Sequence, residues 1–199
     1  MDREKSVRQI QDEYKGTNDS MLPAFIDEYI KDGRPGVSKI ISQAQKKMLK
    51  LQNERARVLK MTEYEKKYSE YEYICGIDEV GRGPLAGPIV TAAVILPKNL
   101  IIPYVNDSKK VSEKRRKELY SIIVNNAVCY AIGSRSETFI DEMGIQRANL
   151  EAMRDAVMSL SVKPDLVLSD AVKIPDLDMK QVSIIKGDAK SASIAAASI

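Results

Sequence analysis

The sequence predicts an α/β fold in which helices flank a mixed central sheet, preceded by a small helical region. Residues 1–70 place apolar residues at helical spacing and contain no strand-like run. From Tyr73 onward, short apolar and β-branched runs are separated by turns. The first runs follow one another directly, and the later ones alternate with helical patterns, which is the order of a mixed sheet. We therefore expect a helical extension at 1–70 and an α/β domain at 71–199.

The extension is predicted to contain one long helix between two short ones. Ser20 is expected to cap the first, which runs to Lys31. The long helix begins at Val37, and its apolar stripe is expected to be packing surface. Thr62 and Glu65 have the spacing of a capping box, which predicts a third, short helix.

The α/β domain is predicted to contain five strands and three helices. The strands are expected at 73–77, 88–96, 127–134, 166–168 and 182–185. The helices are expected after the cap Ser112 to about Asn125, from Ile145 to about Ser161, and from about Ser191 onward.

The composition excludes several kinds of catalyst. The chain has no histidine, which removes Ser-His and Cys-His nucleophile pairs and the commonest transition-metal ligand. Cys75 and Cys129 are the only cysteines, so a structural zinc site is not expected. Both lie in apolar runs and are predicted to be buried thiols, as in a reducing cytoplasm. Catalysis must then use carboxylates, lysines, tyrosines or hard metal ions held by oxygen.

No feature of the sequence predicts export or membrane insertion. No apolar run approaches the ~20 residues that a membrane span needs. The charged N-terminus leads into no apolar core, unlike a secretory signal. We expect a cytoplasmic protein with no membrane contact.

Positive charge is concentrated in the long predicted helix. Residues 37–60 contain seven Lys and Arg against one Glu, whereas residues 71–199 carry sixteen charges of each sign. A basic helix beside a neutral domain suits a phosphate backbone as partner. The same charges also fit a simple solvated helix face.

Three predicted strands lead into acidic residues. The first ends at Asp78 and Glu79, the fourth at Asp170, and the fifth leads to Asp188. Neighbouring strands lie about 4.8 Å apart, so carboxylates at their ends can converge. Such carboxylates repel one another unless cations lie between them. Oxygen ligands favour Mg²⁺ or Mn²⁺, and a pair of such ions is suited to phosphodiester hydrolysis. A single Asp at a strand end is more often a turn or helix cap.

A glycine-rich turn and two lysine-containing loops lie near these acids in the sequence. Gly81 and Gly83 allow close backbone approach to a ligand, and Arg82 is suited to a phosphate. Phosphate contacts are also predicted for the polar residues of the two loops, which are Ser108, Lys109, Lys110, Lys186, Lys190 and Ser191.

The motifs that contain these residues resemble those of the ribonuclease HII family. The segment CGIDEVGRGPLAGP at 75–88 resembles the family's signature. Further similar segments follow in the family's order: DSKK at 107–110, SEKR at 112–115, SDA at 169–171, KGDAKS at 186–191 and AAAS at 195–198. The middle Arg82 favours this family over ribonuclease HIII, and the helical N-terminal region resembles extensions of some bacterial members.

The resemblance implies a ribonuclease H-like fold and a metal-dependent endoribonuclease. Asp78, Glu79, Asp170 and Asp188 would be the catalytic, metal-binding acids, with two Mn²⁺ or Mg²⁺ ions as cofactors. The 81–83 turn would recognise the ribose 2′-hydroxyl, which distinguishes RNA from DNA. The substrates would be RNA-DNA hybrids and duplex DNA containing ribonucleotides, cut on the 5′ side of the ribonucleotide. The setting would be DNA replication and ribonucleotide excision repair, with no obligate protein partner.

Two other functions are compatible with the sequence. Family members continue past the position of Ile199 with further basic residues and a tyrosine that packs on the neighbouring sugar. On this hypothesis the chain is a truncated form or a fragment whose activity is weakened or absent, or one that only binds duplex. Alternatively, residues 1–70 form a protein-interaction module and the acids are structural.

Overall fold

The computed structural model describes residues 5–82 and 87–199, which form two compact units. The first extends to Ala56 and the second begins at Arg57. The sequence instead predicts a boundary after residue 70. The difference arises because the long helix continues into the second unit, where Val58 and Met61 are core residues.

The first unit is helical, as predicted. It contains α1 (Val7–Gly16), α2 (Leu22–Tyr29) and most of α3 (Pro35–Met61). Ser6 caps α1 and forms a capping box with Gln9. The residues of its main hydrophobic cluster come from all three helices: Ile10, Leu22, Phe25, Ile26, Tyr29, Val37, Ile40, Ile41 and Ala44.

Two predicted helix caps before residue 70 are wrong, and a third, Ser112, precedes the helix that begins at Glu113 but makes no side-chain cap hydrogen bond. Ser20 lies inside a 3₁₀ turn at Asp19–Met21, and α2 begins after this turn and ends at Tyr29. Thr62 precedes the short helix α4 (Glu63–Lys67), but its side chain makes no cap hydrogen bond. Its hydroxyl donates to the carbonyl of Leu59 instead, and Glu65 bonds to a distant part of the chain.

The second unit is an α/β domain built on one mixed sheet. Its described strands are β1 (Ile74–Val80), β2 (Ile89–Ile95), β3 (Cys129–Arg135), β4 (Leu166–Asp170) and β5 (Lys180–Ile184). They lie in the order β3-β2-β1-β4-β5. The first three strands pair antiparallel, and β4 and β5 run parallel to β1. The predicted meander followed by helix–strand alternation is therefore confirmed.

Helices cover both faces of this sheet. The described helices that follow β2 in the chain are α5 (Glu113–Asn126), α6 (Glu137–Met143), α7 (Ile145–Met158) and α8 (Ala192–Ala197). On one face, Met153 and Ala156 of α7 pack with Ile77, Ala93 and Ile95. The sequence did not single out α6, because it is short and offers few apolar positions.

The opposite face of the sheet has a second core. Val94 packs there with Leu119 of α5 and the alanines of α8, together with the end of α3. Residues of β2 thus alternate between the two cores, as a strand buried on both faces requires.

Both predicted thiols are free and buried. Cys75 of β1 and Cys129 of β3 lie on either side of β2 in the sheet and do not form a disulfide. Burial raises the pKa of the Cys75 thiol to about 12. This favours an inert core thiol over a reactive one. Among the described residues, no helix combines the length and apolar character that crossing a membrane requires.

Glycine allows the last helix to lie directly on the central strand. A Cβ placed on Gly76 of β1 would be 2.1 Å from the carbonyl carbon of Ser193. The nearest atoms are all backbone atoms of Ser193 and Ile194, so a Cβ could be accommodated only if the backbone of α8 or of β1 shifted. Residue 76 therefore sets the distance between α8 and β1.

Gly76→Ala is expected to lower the free energy of unfolding by about 3 kcal/mol or more, because the methyl group overpacks a backbone contact. Urea unfolding followed by circular dichroism measures this. The matched control is Gly16→Ala at the end of α1, where nothing lies within 4 Å. That change should leave stability unchanged or raise it by up to about 1 kcal/mol. Equal stability of Gly76→Ala and wild type would contradict this packing argument.

Candidate active site

The predicted acids meet at one edge of the sheet. β1 and β4 are parallel, with Ile77 opposite Ser169. Asp78 and Asp170 each follow directly after these partners, so they occupy equivalent positions on neighbouring strands. Asp188 lies beyond the end of β5, in a 3₁₀ turn at Gly187–Ala189. The fifth strand therefore ends before this acid, at Ile184, and a short connection leads from the strand to Asp188.

A hydrogen bond joins the β4 end to the Asp188 turn. The Gly187 N–H donates to Asp170 Oδ1 at 2.9 Å. A Cβ on Gly187 would lie 2.6 Å from Ile194 Cδ1 and 3.3 Å from the Cα of Asp170. Glycine at 187 therefore lets the turn lie close to both Asp170 and α8.

Asp78 is the most buried of the four acids, with 8% of its surface exposed. Burial raises the pKa of its carboxyl to about 7. The nearby charges of Glu79, Asp170 and Asp188 act in the same direction, opposed by the Glu79 N–H, which donates to Asp78 Oδ1 at 2.9 Å. This carboxylate is thus held in a negatively charged and poorly solvated position.

Glu79 retains an unsatisfied oxygen. Its Oε1 lies 3.5 Å from Nη1 of Arg82, and its side chain is only 15% exposed. Its Oε2 is buried and has no hydrogen-bond partner within the described residues. A buried carboxylate oxygen without a partner is costly, and a bound cation would relieve that cost.

Asp188 interacts with an acid that sequence reasoning did not assign. Its pKa is raised by burial and then by the charges of Asp107 and Asp170. Asp107 precedes the lysine pair, accepts from the Lys109 N–H at 3.0 Å, and lies 3.4 Å from Lys110 Nζ. The motif at 107–110 contains this acid, but the sequence analysis assigned candidate contacts only to Ser108 and the two lysines of the motif.

These carboxylates do not form a closed metal cage. Within residues 5–82 and 87–199, no group of three or more Asp, Glu or Cys side chains is arranged to hold a metal ion. The donors nevertheless fit a hard divalent cation, because they are all carboxylates and the Glu79 oxygen lacks a partner.

The predicted phosphate contacts differ in their exposure. Lys109, Lys110, Lys186 and Lys190 are exposed. Ser108 is half-buried, and its N–H donates to Ser198 Oγ at 3.2 Å. Ser191 is fully buried, and its hydroxyl donates to Glu65 and accepts from the Ile194 N–H. Substrate contact by Ser191 stays a prediction that this burial does not favour.

The glycine turn is described only in part. Gly81 has a φ of +106°, and a Cβ there would lie 2.5 Å from the carbonyl oxygen of Pro88. Glycine is therefore required at this position. Arg82 is exposed, whereas Gly83 lies outside the described residues. A cavity of about 460 Å³ lies beside the site, lined by Asp78, Glu79 and Lys109 among others.

Comparison with solved structures shows that this mixed sheet, with acids at one edge, has a ribonuclease H-like fold. The structure of ribonuclease H2 from Pyrococcus horikoshii matches with a TM-score of 0.57 and 26% identity, covering 63% of this chain and 68% of that chain. A ribonuclease HII from Archaeoglobus fulgidus, solved in complex with PCNA, matches with a TM-score of 0.51 and 27% identity, over 63% and 69% of the two chains.

Sequence comparison then gives the family. The family profile described as Ribonuclease HII matches residues 75–199, and the Ribonuclease HII N-terminal domain profile matches residues 6–69. The chain belongs to the ribonuclease HII family, a family of nucleases. Ribonuclease HII of Lachnoclostridium phytofermentans is 55% identical over 87% of this chain, and that of Bacillus mycoides is 51% identical over 85%. The matched parts are 68% and 66% of those relatives' lengths, so the chain spans about two thirds of them.

Asp78→Asn is expected to stabilise the metal-free protein near neutral pH. The folded-state pKa of about 7 lies above the ordinary 3.8, so the folded state binds the extra proton between these values. Wild-type stability therefore falls as pH rises from about 4 to 7. The asparagine protein, which lacks this titration, should gain on the order of 2 kcal/mol at pH 8, or roughly 4–8 °C in Tm.

Thermal unfolding in EDTA at pH 4 and pH 8 measures the effect. The gain should be present at pH 8 and absent at pH 4. Asp178→Asn, at an exposed position, is the control for removing one negative charge. A gain of the same size at both pH values would show that ionisation of Asp78 is not its cause.

Proposed function

We propose that this chain is an endoribonuclease that hydrolyses the RNA strand of RNA-DNA hybrids and nicks duplex DNA on the 5′ side of embedded ribonucleotides. Family membership supports the reaction class. The observation that carries the proposal is the group of carboxylates at the sheet edge, where Asp78 has a pKa raised to about 7 and Glu79 has an unpartnered oxygen.

Two divalent metal ions, Mg²⁺ or Mn²⁺, are the proposed cofactors. Asp78, Glu79, Asp170 and Asp188 would hold them. When bound, such a pair supplies an activated water and neutralises charge on the leaving 3′ oxygen. The acids' part is to present oxygen ligands from the ends of β1 and β4 and from the turn at Asp188, with Asp170 accepting from the Gly187 N–H.

The remaining predicted site residues would hold the substrate. The exposed lysines at 109, 110, 186 and 190 lie in the segments that contain Asp107 and Asp188, and their positive charge would suit the phosphates on either side of the cut. The turn of Gly81, Arg82 and Gly83 would approach the ribose and recognise its 2′-hydroxyl. DNA replication and ribonucleotide excision repair in the cytoplasm are the proposed setting.

A labelled DNA duplex with one ribonucleotide tests this function. In Mn²⁺ or Mg²⁺, a nick 5′ of the ribonucleotide is expected. Asp78→Asn should reduce the rate by about a hundredfold or more, because bound metal contributes several kcal/mol. Asp178→Asn, an exposed acid outside the group, should cut normally. Folded wild-type protein that binds the duplex without cutting it would instead identify a duplex-binding form.

A duplex grip is the proposed role of the helical unit. Five exposed cationic side chains lie along the part of α3 in this unit, namely Lys39, Lys46, Lys47, Lys50 and Arg55. Lys47 also pairs with Asp19 at 2.8 Å. Such a concentration of positive charge suits the phosphates of a duplex, whose binding releases counterions.

Replacing Lys46, Lys50 and Arg55 with alanine should weaken duplex binding equally for all sequences. The slope of log affinity against log salt should fall by about 0.9 for each phosphate that the protein no longer neutralises. Fluorescence anisotropy across a salt series measures both quantities. The control removes the same charge outside α3, at Arg8, Lys15 and Lys31. Equal weakening in the two triple variants would exclude a specific role for α3.

A further inference from the structure

Glu65 connects the short helix α4 to the other end of the chain. Its Oε1 accepts from the Ser191 hydroxyl at 2.6 Å and from the Ser193 N–H at 2.9 Å. These partners lie 126 and 128 residues further along the sequence. Both belong to the start of α8, whose first backbone N–H groups have no partner within the helix.

The Glu65 contact is mostly shielded from water. Ser191 is fully buried and Ser193 is 3% exposed. The second carboxyl oxygen of Glu65 is buried with no hydrogen-bond partner among the described residues. Desolvating a carboxylate is costly, so the two bonds to α8 must offset that cost. The contact is therefore a specific one, unlike a flexible surface ion pair.

A continuous series of hydrogen bonds leads from Glu65 to the acidic site. The Ser191 N–H donates to the Gly187 carbonyl at 2.8 Å and closes the turn that carries Asp188. The Gly187 N–H at the start of that turn donates to Asp170. The start of α8, the Asp188 turn and the end of β4 are thus linked.

We propose that Glu65 is a positioning residue, which fixes the start of α8 and thereby holds Asp188 beside Asp170 and Asp78. The role rests on the proposed function, since it supplies the geometry in which Asp188 becomes a metal ligand. Glu65 itself touches neither substrate nor metal. It acts through Ser191 and the turn, as outer residues commonly orient metal ligands.

Three variants separate positioning from general stabilisation. Glu65→Ala removes the acceptor. Glu65→Gln keeps an uncharged acceptor oxygen of nearly the same shape. Glu65→Asp keeps the charge but withdraws the acceptor by one methylene, and it serves if the alanine variant does not fold. The matched control is Glu63→Ala, an exposed glutamate on the same short helix.

The first measurement is hydrogen exchange followed by mass spectrometry. Glu65→Ala should speed exchange in peptides covering 187–198 while leaving those of β2 and β3 unchanged, because only the start of α8 loses its partner. The glutamine variant and the Glu63→Ala control should match wild type. Unchanged exchange at 187–198 in Glu65→Ala and Glu65→Asp would overturn the proposal.

The second measurement is Mn²⁺ binding, read from the electron paramagnetic resonance signal of the free ion. Glu65→Ala should weaken binding on the order of tenfold or more, and Glu65→Asp should weaken it less. Rescue by glutamine is expected. Wild-type affinity in the alanine and aspartate variants would overturn the proposal, as would a glutamine variant as impaired as alanine. Failure of wild type to nick would count against the proposed function alone, because exchange and Mn²⁺ binding are read without substrate.

Discussion

The candidate site depends on the direct backbone contact between α8 and the central strand at Gly76. β1 contributes Asp78 two residues later, and the turn before α8 contributes Asp188. Any side chain at residue 76 would separate these elements and move the two carboxylates apart. Gly133 serves the opposite face in the same way, since a Cβ there would lie 2.0 Å from the carbonyl oxygen of Ala152 in α7. Helices α8 and α7 thus pack closely against opposite faces of the sheet, each at a glycine of the sheet.

This close packing brings together charges that oppose folding. Burial, followed by neighbouring carboxylates, raises the pKa of both Asp78 and Asp188, which means that ionisation costs free energy in the folded state. The hydrophobic cores on the two faces of the sheet must therefore offset this cost of ionisation. A cation that binds among the acids would lower the cost, because it binds the folded arrangement and has little affinity for the separated residues of an unfolded chain.

Much of this arrangement could be predicted from local sequence patterns. β-branched runs indicated all five described strands, and acids at 78, 79 and 170 lie within or at the end of their strands as expected. Strand order could not be read in this way, because it depends on which faces pack together. The capping-box pattern of Thr62 and Glu65 was misleading for a related reason. Its glutamate can cap either its own helix or a distant one, and the local pattern does not contain the start of α8.

Helix α8 also connects the acids to the loop at 108–111, which contains Lys109 and Lys110. The start of the helix is joined to the Asp188 turn through Ser191. Ser198, just after its last residue, accepts from the Ser108 N–H, and Arg116 holds the same loop through the carbonyls of Ser108 and Val111. Asp107, which acts on the pKa of Asp188, precedes this loop directly. Under the proposed function, α8 would therefore position both the metal ligands and the phosphate-binding lysines. A shift of α8 would then change metal binding and substrate binding together, whereas a change in a single lysine would affect the substrate alone.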